Sequence, residues 1–503
     1  MGYGIITLTS VGRENIYLSA QPEITYFKIA YKRYTNFSIE TVAQYFINKP
    51  DFGRRVTVNI SKNADLLHQI YIYIVLPDIT KSSATNLPTD VKQFAWINKI
   101  GLGIINLIDL EIGGVIVETN YTNWLNIWYE LTTPYGKRNS YNKMIGNIDL
   151  LTNFSNGKLS YGLNIPLNFW FCQDSGLALP LCALVHNDIK IHVEFNNFKN
   201  TYIETPTNYI QVLETICLFE VGELIKQNVN GSIAIGKFVY YDNINQYIYY
   251  YKLANDFIIP STPDLISRYT ITGSNTGYTS NIKPNSLVII DQSYFRFNTP
   301  SLTTAYLLVN YIYLDNEERF IFINNNHKYL IPIVQNISQQ IYASTNIAYK
   351  IPFCNPVKII FWAAQLLANI NSNDIYNYTS YPLTETRDNI ILSENIILNS
   401  INRMEMNSIE LYTNLQLYLN KFVSSNTFYN VDITGINLFS LSLDPLNYQP
   451  SGSLNFSEID DAYIQMQINN KINHQNKIAI NGYAIQYNLL RITDGLAGLT
   501  FYL

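Results

Sequence analysis

From one end of the chain to the other, apolar residues recur at every second position, and long stretches with helical spacing are scarce. Val56, Val58 and Ile60 alternate with Thr57, Asn59 and Ser61. Ile189, Ile191, Val193 and Phe195 alternate with Lys190, His192 and Glu194, and Ile464, Met466 and Ile468 alternate with glutamines. Because side chains of a strand point to opposite faces in turn, this period builds half-buried sheet and excludes a helical bundle. Turn-forming clusters separate the runs: Pro50-Asp51-Phe52-Gly53, Gly113-Gly114, Asn156-Gly157 and Gln449-Pro450-Ser451-Gly452. One amphipathic helix interrupts them, with Trp124, Ile127, Trp128 and Leu131 on one face and a stop at Thr133-Pro134. Many short strands call for sandwiches or barrels, and 503 residues are more than one sandwich needs, so two in tandem are expected.

Composition narrows the function. Charged residues are 14% of the chain, against roughly 25% in ordinary soluble domains. The 41 tyrosines suit half-buried strands, and low charge with many aromatics suits surfaces covered by partners. A net charge of −5 gives no global attraction to nucleic acid. Locally, residues 1–62 are basic: Arg13, Lys28, Lys32, Arg33, Lys49, Arg54, Arg55 and Lys62 outnumber Glu14, Glu23, Glu40 and Asp51. That pattern is either a solvated face or an arm for an acidic partner or anionic surface.

No residue pattern carries catalysis. Cys172, Cys182, Cys217 and Cys354 lack metal-site or disulfide-framework spacing and read as free thiols of a reducing compartment. His68, His186, His192, His327 and His474 are scattered. His186 and His192, placed on one strand face, would stand about 20 Å apart, too far to share a metal. The paired acids Glu317-Glu318 and Asp460-Asp461, read as strand neighbours, face opposite ways and cannot act together on a substrate. Gly101-Leu102-Gly103 lacks the last glycine of a dinucleotide loop. No catalytic, cofactor-binding or metal residue is therefore assigned, and no cofactor is expected. The opening residues show no secretory leader, Gly2 is followed by Ile6 where a myristoylation motif needs Ser or Thr, and charges interrupt the most apolar run, Ile97 to Val117. Eight N-x-S/T sequons, among them those at Asn36, Asn59, Asn120 and Asn153, are about what an Asn-rich chain contains by chance.

Several long strings together resemble the major capsid proteins of nucleocytoplasmic large DNA viruses, the double jelly-roll family of iridoviruses, algal viruses and mimivirus relatives. They are ENIYLSAQPEITYFKIAYKRYTNFSIE from Glu14, DFGRRVTVNISKNADLLHQIYI from Asp51 and LEIGGVIVETNYTNWLNIWYEL from Leu110. NFWFCQDSGLALPLCALVHNDIKIHVEF from Asn168 is the most specific, through Gly176-Leu177-Ala178-Leu179-Pro180. VNYIYLDNEERF from Val309, NPVKIIFW from Asn355, DITGINLFSLSLDPLNYQPSGSLNFSEIDDA from Asp432 and YNLLRITDGLAGLTF from Tyr487 follow in family order.

The resemblance implies an all-β chain of two tandem eight-stranded antiparallel jelly rolls, with a few short helices. It divides as an N-terminal arm (1–26), a first jelly roll (27–316) with an insertion over about 200–305, and a second jelly roll (317–503). It implies a structural protein, not an enzyme: a homotrimeric, pseudo-hexagonal capsomer of an icosahedral double-stranded DNA virus shell, located in the virion and assembled in host cytoplasm. Implied partners are neighbouring capsomers and, through the arm, minor capsid proteins or an internal membrane, with no sequence-specific nucleic acid. The alternatives are a minor capsid or penton-type protein and a carbohydrate-binding β-sandwich. Two departures stand out. The run between Phe195 and Val309 is longer than the family places there, and is expected to form an outer-surface ornament. KFVSSNTFYNV from Lys421 replaces a turn that often bears Pro and His.

Overall fold

The computed structural model describes residues 3–80, 93–262, 269–289, 301–384, 386–403, 407–422 and 435–501. Its first half contributes β1 (Phe37–Gln44), β2 (Arg55–Asn59), β3 (Leu66–Leu76), β4 (Ile105–Ile112), β5 (Val115–Tyr121), β6 (Tyr161–Pro166), β7 (Ile189–Phe195) and β8 (Thr304–Leu314). Its second half contributes β9 (His327–Tyr342), β10 (Asn346–Lys350), β11 (Pro356–Leu366), β12 (Ile391–Leu398), β13 (Ile401–Asn402), β14 (Ile436–Ser440), β15 (Ala462–Ile468) and β16 (Ile478–Thr493). The first set pairs in the orders β1-β8-β3-β6 and β2-β7-β4-β5. The second pairs as β9-β16-β11-β14 and β10-β15-β12-β13. Adding eight to each strand number converts one half into the other, so the chain is two jelly rolls of one topology, every ladder in both antiparallel.

The alternation read from sequence is the mechanism of burial. Ile189, Ile191, Val193 and Phe195 of β7 are buried while the residues between them are half-exposed, and β2 and β15 repeat the pattern. Inward residues of the facing sheets, among them Val58, Ile72, Ile108, Ile191 and Leu307, share one dry core. Ile347, Ile360, Trp362, Ile396, Ile464 and Ile480 do the same in the second half. Burying each such large side chain stabilises by roughly 1.5–3 kcal/mol. Gly113 and Gly114, both at positive φ, close the two-residue hairpin between β4 and β5, a turn that side-chain-bearing residues adopt at a cost.

The helices are α1 (Tyr3–Thr9), α2 (Thr122–Thr132), α3 (Tyr135–Ile145) and α4 (Asn316–Asn324), with shorter turns elsewhere. The sequence anticipates α2 but not α3, whose polar surface buries only Ile145. Between β7 and β8 the chain forms a separate seven-stranded sheet from Asn208 to Ile289. Its central strands, Leu224–Val229, Ser232–Asp242 and Tyr247–Ala254, surround a core of Ile210, Phe219, Ile225, Phe238, Ile248 and Tyr250.

Candidate assembly surfaces

The joint between the two jelly rolls is built on α2. Trp124, Ile127 and Leu131, one helical turn apart, lie against Ile359, Phe361 and Ala363 of β11, Ile436 and Leu438 of β14, and Tyr483 and Ile485 of β16. Period two explains the division of labour in β11: Ile360, Trp362 and Ala364 fill the sandwich, and the odd-numbered residues face the helix. The Trp124 ring lies 5.4 Å from Phe361 and 5.6 Å from Tyr483. Thr122 pairs with the Tyr376 hydroxyl at 2.9 Å, and Asn126 Nδ2 donates to the Tyr378 hydroxyl at 3.1 Å. Ile331, Ile333, Leu490 and Ile492 of the second half join the first core. Glu118 is buried at this seam beside Asn120 and the backbones of Trp170 and Val334, and burial pushes its carboxyl up to about 8.

The insertion is also docked. Leu224, Ile235 and Ala254 pack into the second core, Tyr251 donates to the Ser372 carbonyl at 2.6 Å, and Asn373 Nδ2 donates to the Lys199 and Tyr202 carbonyls at 2.9 Å. Residues 367–373 and 475–477, which line its contact, belong to the β11–β12 and β15–β16 connections. In a jelly roll these emerge at the same end as the β7–β8 connection that carries the insertion. An open cavity of about 730 Å³ lies along this contact, lined by Tyr202, Glu204, Asn255, Leu367, Asn373 and Lys477 among others.

Other apolar surface is uncovered in the single chain. Ile5, Leu8, Tyr17, Leu18, Tyr26, Phe27 and Tyr31 of the N-terminal segment are exposed, interleaved with Lys28, Lys32 and Arg33. Helix α4 buries none of its residues and exposes Phe320, Ile321 and Ile323. Clustered exposed apolar side chains of this kind are characteristic of surfaces that meet partners.

The titratable residues stay dispersed, for reasons that differ in part from those the sequence suggested. His186 is not on a strand with His192. It lies before β7 begins at Ile189, where its backbone N–H donates to the Gly495 carbonyl at 3.0 Å. His192 instead bonds Thr57 Oγ1 at 2.8 Å and Glu111 Oε2 at 2.9 Å, and Lys190 reaches Glu111 at 3.0 Å, which holds the Glu111 carboxyl below its usual range. Glu317 and Glu318 occupy the first turn of α4, capped by Asp315, because acidic side chains favour a helix N-terminus; they are not strand neighbours. Asp460 and Asp461 precede β15, and both backbone N–H groups donate to Asn399 Oδ1. His68 and His327 bond backbone carbonyls. Among the described residues no three His, Cys, Asp or Glu side chains converge, the four cysteines are free, and no helix is long and apolar enough to cross a membrane. Of the sequons, that at Asn120 is buried. Of the departing segment after Lys421, residues 423–431 lie outside the described residues; Lys421 itself pairs with Asp444 at 2.9 Å.

Sequence reasoning missed Glu118, Tyr376 and Tyr378. Their local patterns carry no signal, because each matters through residues far away in the chain.

Comparison with known proteins agrees with this architecture. The profile described as "Major capsid protein N-terminus" matches residues 25–253, and that described as "Large eukaryotic DNA virus major capsid protein" matches residues 318–498. "Probable capsid protein 4" of Acanthamoeba polyphaga mimivirus is 34% identical over 520 residues, covering 100% of this chain and 99% of that one. The "Faustovirus major capsid protein" superposes with a TM-score of 0.66 at 12% identity, covering 96% of this chain and 94% of the other. The "PBCV-1 virus capsid, quasi-atomic model" gives 0.63 at 21% identity, covering 95% and 100%. These two structures share the fold.

Proposed function

The chain belongs to the major capsid protein family of large eukaryotic DNA viruses, and from that premise we propose that three copies close into a pseudo-hexagonal capsomer, the repeating block of an icosahedral shell. Its work is structural, not catalytic. The observation that carries the proposal is the repeated strand order: two equivalent sandwiches per chain become six around a threefold axis, which tiles a surface as a hexagon does. Closure at three needs a heterologous interface, of roughly 2,000 Å² or more in an obligate assembly. The uncovered face of α4 supplies candidate area.

The basic, aromatic N-terminal arm reads as the inner contact, against minor capsid proteins or an anionic membrane surface. The insertion reads as the outward ornament, since it extends the connections opposite in sense to those near the arm. Neighbouring capsomers complete the list of partners, and host cytoplasm is the proposed place of assembly. Light scattering after size exclusion tests the first statement: the expected mass is three times the 57.9 kDa chain, and a stable folded monomer overturns it. Deleting residues 1–25 should leave three chains per particle in the same measurement but impair shell assembly; unimpaired shells would remove the arm from the reading.

A further inference from the structure

Lys99 is a lysine where the fold would be expected to refuse one. It is 1% exposed and adopts left-handed backbone, φ 52°, at the start of the short helix Ile100–Gly103. That conformation is costly for a residue with a side chain, and it sends the amine inward. There Nζ donates to Asn126 Oδ1 at 2.9 Å and pairs with the Glu130 carboxylate. Asn126 and Glu130 are four residues apart on α2 and therefore on one face, both 0–1% exposed. The rings of Tyr129 and Tyr376 lie 5.6 and 5.5 Å from Nζ and exclude water. Arg138 approaches the same Glu130 at 3.5 Å, so two cations converge on this carboxylate.

We propose that Lys99, Asn126 and Glu130 form a self-catalysed isopeptide site, in which the Lys99 amine replaces the side-chain amide nitrogen of Asn126. The components needed are in place: an amine at hydrogen-bond range of a carboxamide, a carboxylate touching that amine, and a dry enclosure that disfavours hydrolysis. Glu130 takes a proton from the Lys99 ammonium, and the neutral amine attacks Cγ of Asn126. A proton passes through the carboxylate from the new nitrogen to Nδ2, the Cγ–Nδ2 bond breaks, and ammonia departs. It carries off the remaining proton as ammonium, which returns Glu130 to its ionised form. One ammonium and one carboxamide become one amide and one ammonium ion in water; nothing is oxidised or reduced. Glu130 keeps Arg138 as counter-ion, so the reaction removes a buried positive charge without stranding the negative one.

The bond would join the segment before β4 to the middle of α2, the helix whose other face holds the second jelly roll. Tyr376 and Tyr378 come from that second jelly roll, so the site is complete only in the docked subunit. The result is a rivet set after folding, suited to a protein that must outlast its cell.

Tryptic mapping of the intact, full-length protein decides the matter. Cleavage after Lys92, Lys99 and Lys137 gives separate peptides 93–99 and 100–137, the second holding Asn126. The bond blocks cleavage at Lys99 and yields a 93–137 species lighter by one ammonia, with fragment ions joining Lys99 to Asn126. Asn126→Asp should reach the same product mass by losing water, and Glu130→Gln should give the two separate peptides at the masses of its own sequence. Full recovery of 93–99 and 100–137 at their sequence masses from the wild-type protein overturns the proposal and leaves a buried ion pair. So does an ammonia loss from the 93–137 species whose fragment ions place it at another residue, such as Asn106. A linked species in folded Glu130→Gln removes the role given to Glu130.

Discussion

A cross-strand aromatic pair stands on corresponding strands of the two jelly rolls and meets a different fate in each. In the first, Tyr73 of β3 faces Tyr306 of β8 directly, rings 4.9 Å apart, on the outer side of the sheet. Tyr45 extends the row to 5.6 Å from Tyr306, and both members of the pair stay half-exposed. In the second, Phe361 of β11 faces Tyr483 of β16 on the corresponding pair of strands, and α2 covers both with Trp124. One topology therefore yields a sheet buried on both faces and a sheet buried on one. The difference teaches where the pseudo-symmetry is spent: one jelly roll lends a helix, the other receives it, and the lender's own sheet keeps this aromatic pair half-exposed.

Three measurements press on that contrast. Trp124→Ala removes the ring that covers the second sheet and should cost about 3–5 kcal/mol of subunit stability in denaturant unfolding, the range for a large aromatic lost from a core. A cost below about 1 kcal/mol would mean the joint is loose.

Glu394 tests the interior of the receiving jelly roll. It is buried, accepts from Trp362 Nε1 at 2.7 Å, and burial raises its carboxyl from 4.5 to about 8. A raised acid is neutral in the folded state, so its burial costs nothing below pH ~4.5 and progressively more as pH rises toward 8. Glu394→Gln should thus be stabilising by up to roughly 4 kcal/mol at pH 8 and near neutral at pH 4.5. A pH-independent difference between the two proteins would refute this.

The smallest effect is expected at the uncovered face. Tyr306→Ala should change unfolding of the isolated subunit by no more than about 1 kcal/mol, because the ring is only partly desolvated. The same change should weaken capsomer formation, read by light scattering against concentration. Undisturbed association would show that the row faces solvent in the assembly too.

Much of the fold was legible in the sequence. β2, β7 and β15 follow from alternation, α2 from its four apolar residues at helical spacing, and the β4–β5 hairpin from two glycines. β11 was less so: its run from Ile359 to Ala364 is apolar without a break, and a local pattern does not say whether the second face meets a sheet, a helix or a partner. Helix α3 lacked an apolar stripe, and Glu317-Glu318 was misread because a pair of acids fits a helix start as well as a strand. At the Lys99 cluster the sequence showed only a lysine in a loop and two polar residues on a helix. Nothing local announces that all three lose water, because the lysine is far from the helix in sequence and one of the enclosing rings, that of Tyr376, comes from the second jelly roll.

Sequence alone determined the strands, their inward faces and the capsid family, since the pleat of a strand is local and a family's strings are read in order. Tertiary structure decided which outward faces are covered, which acids are neutral and which lysine meets an amide. Desolvation belongs to whatever surface arrives from elsewhere in the chain, and no window of neighbouring residues contains it.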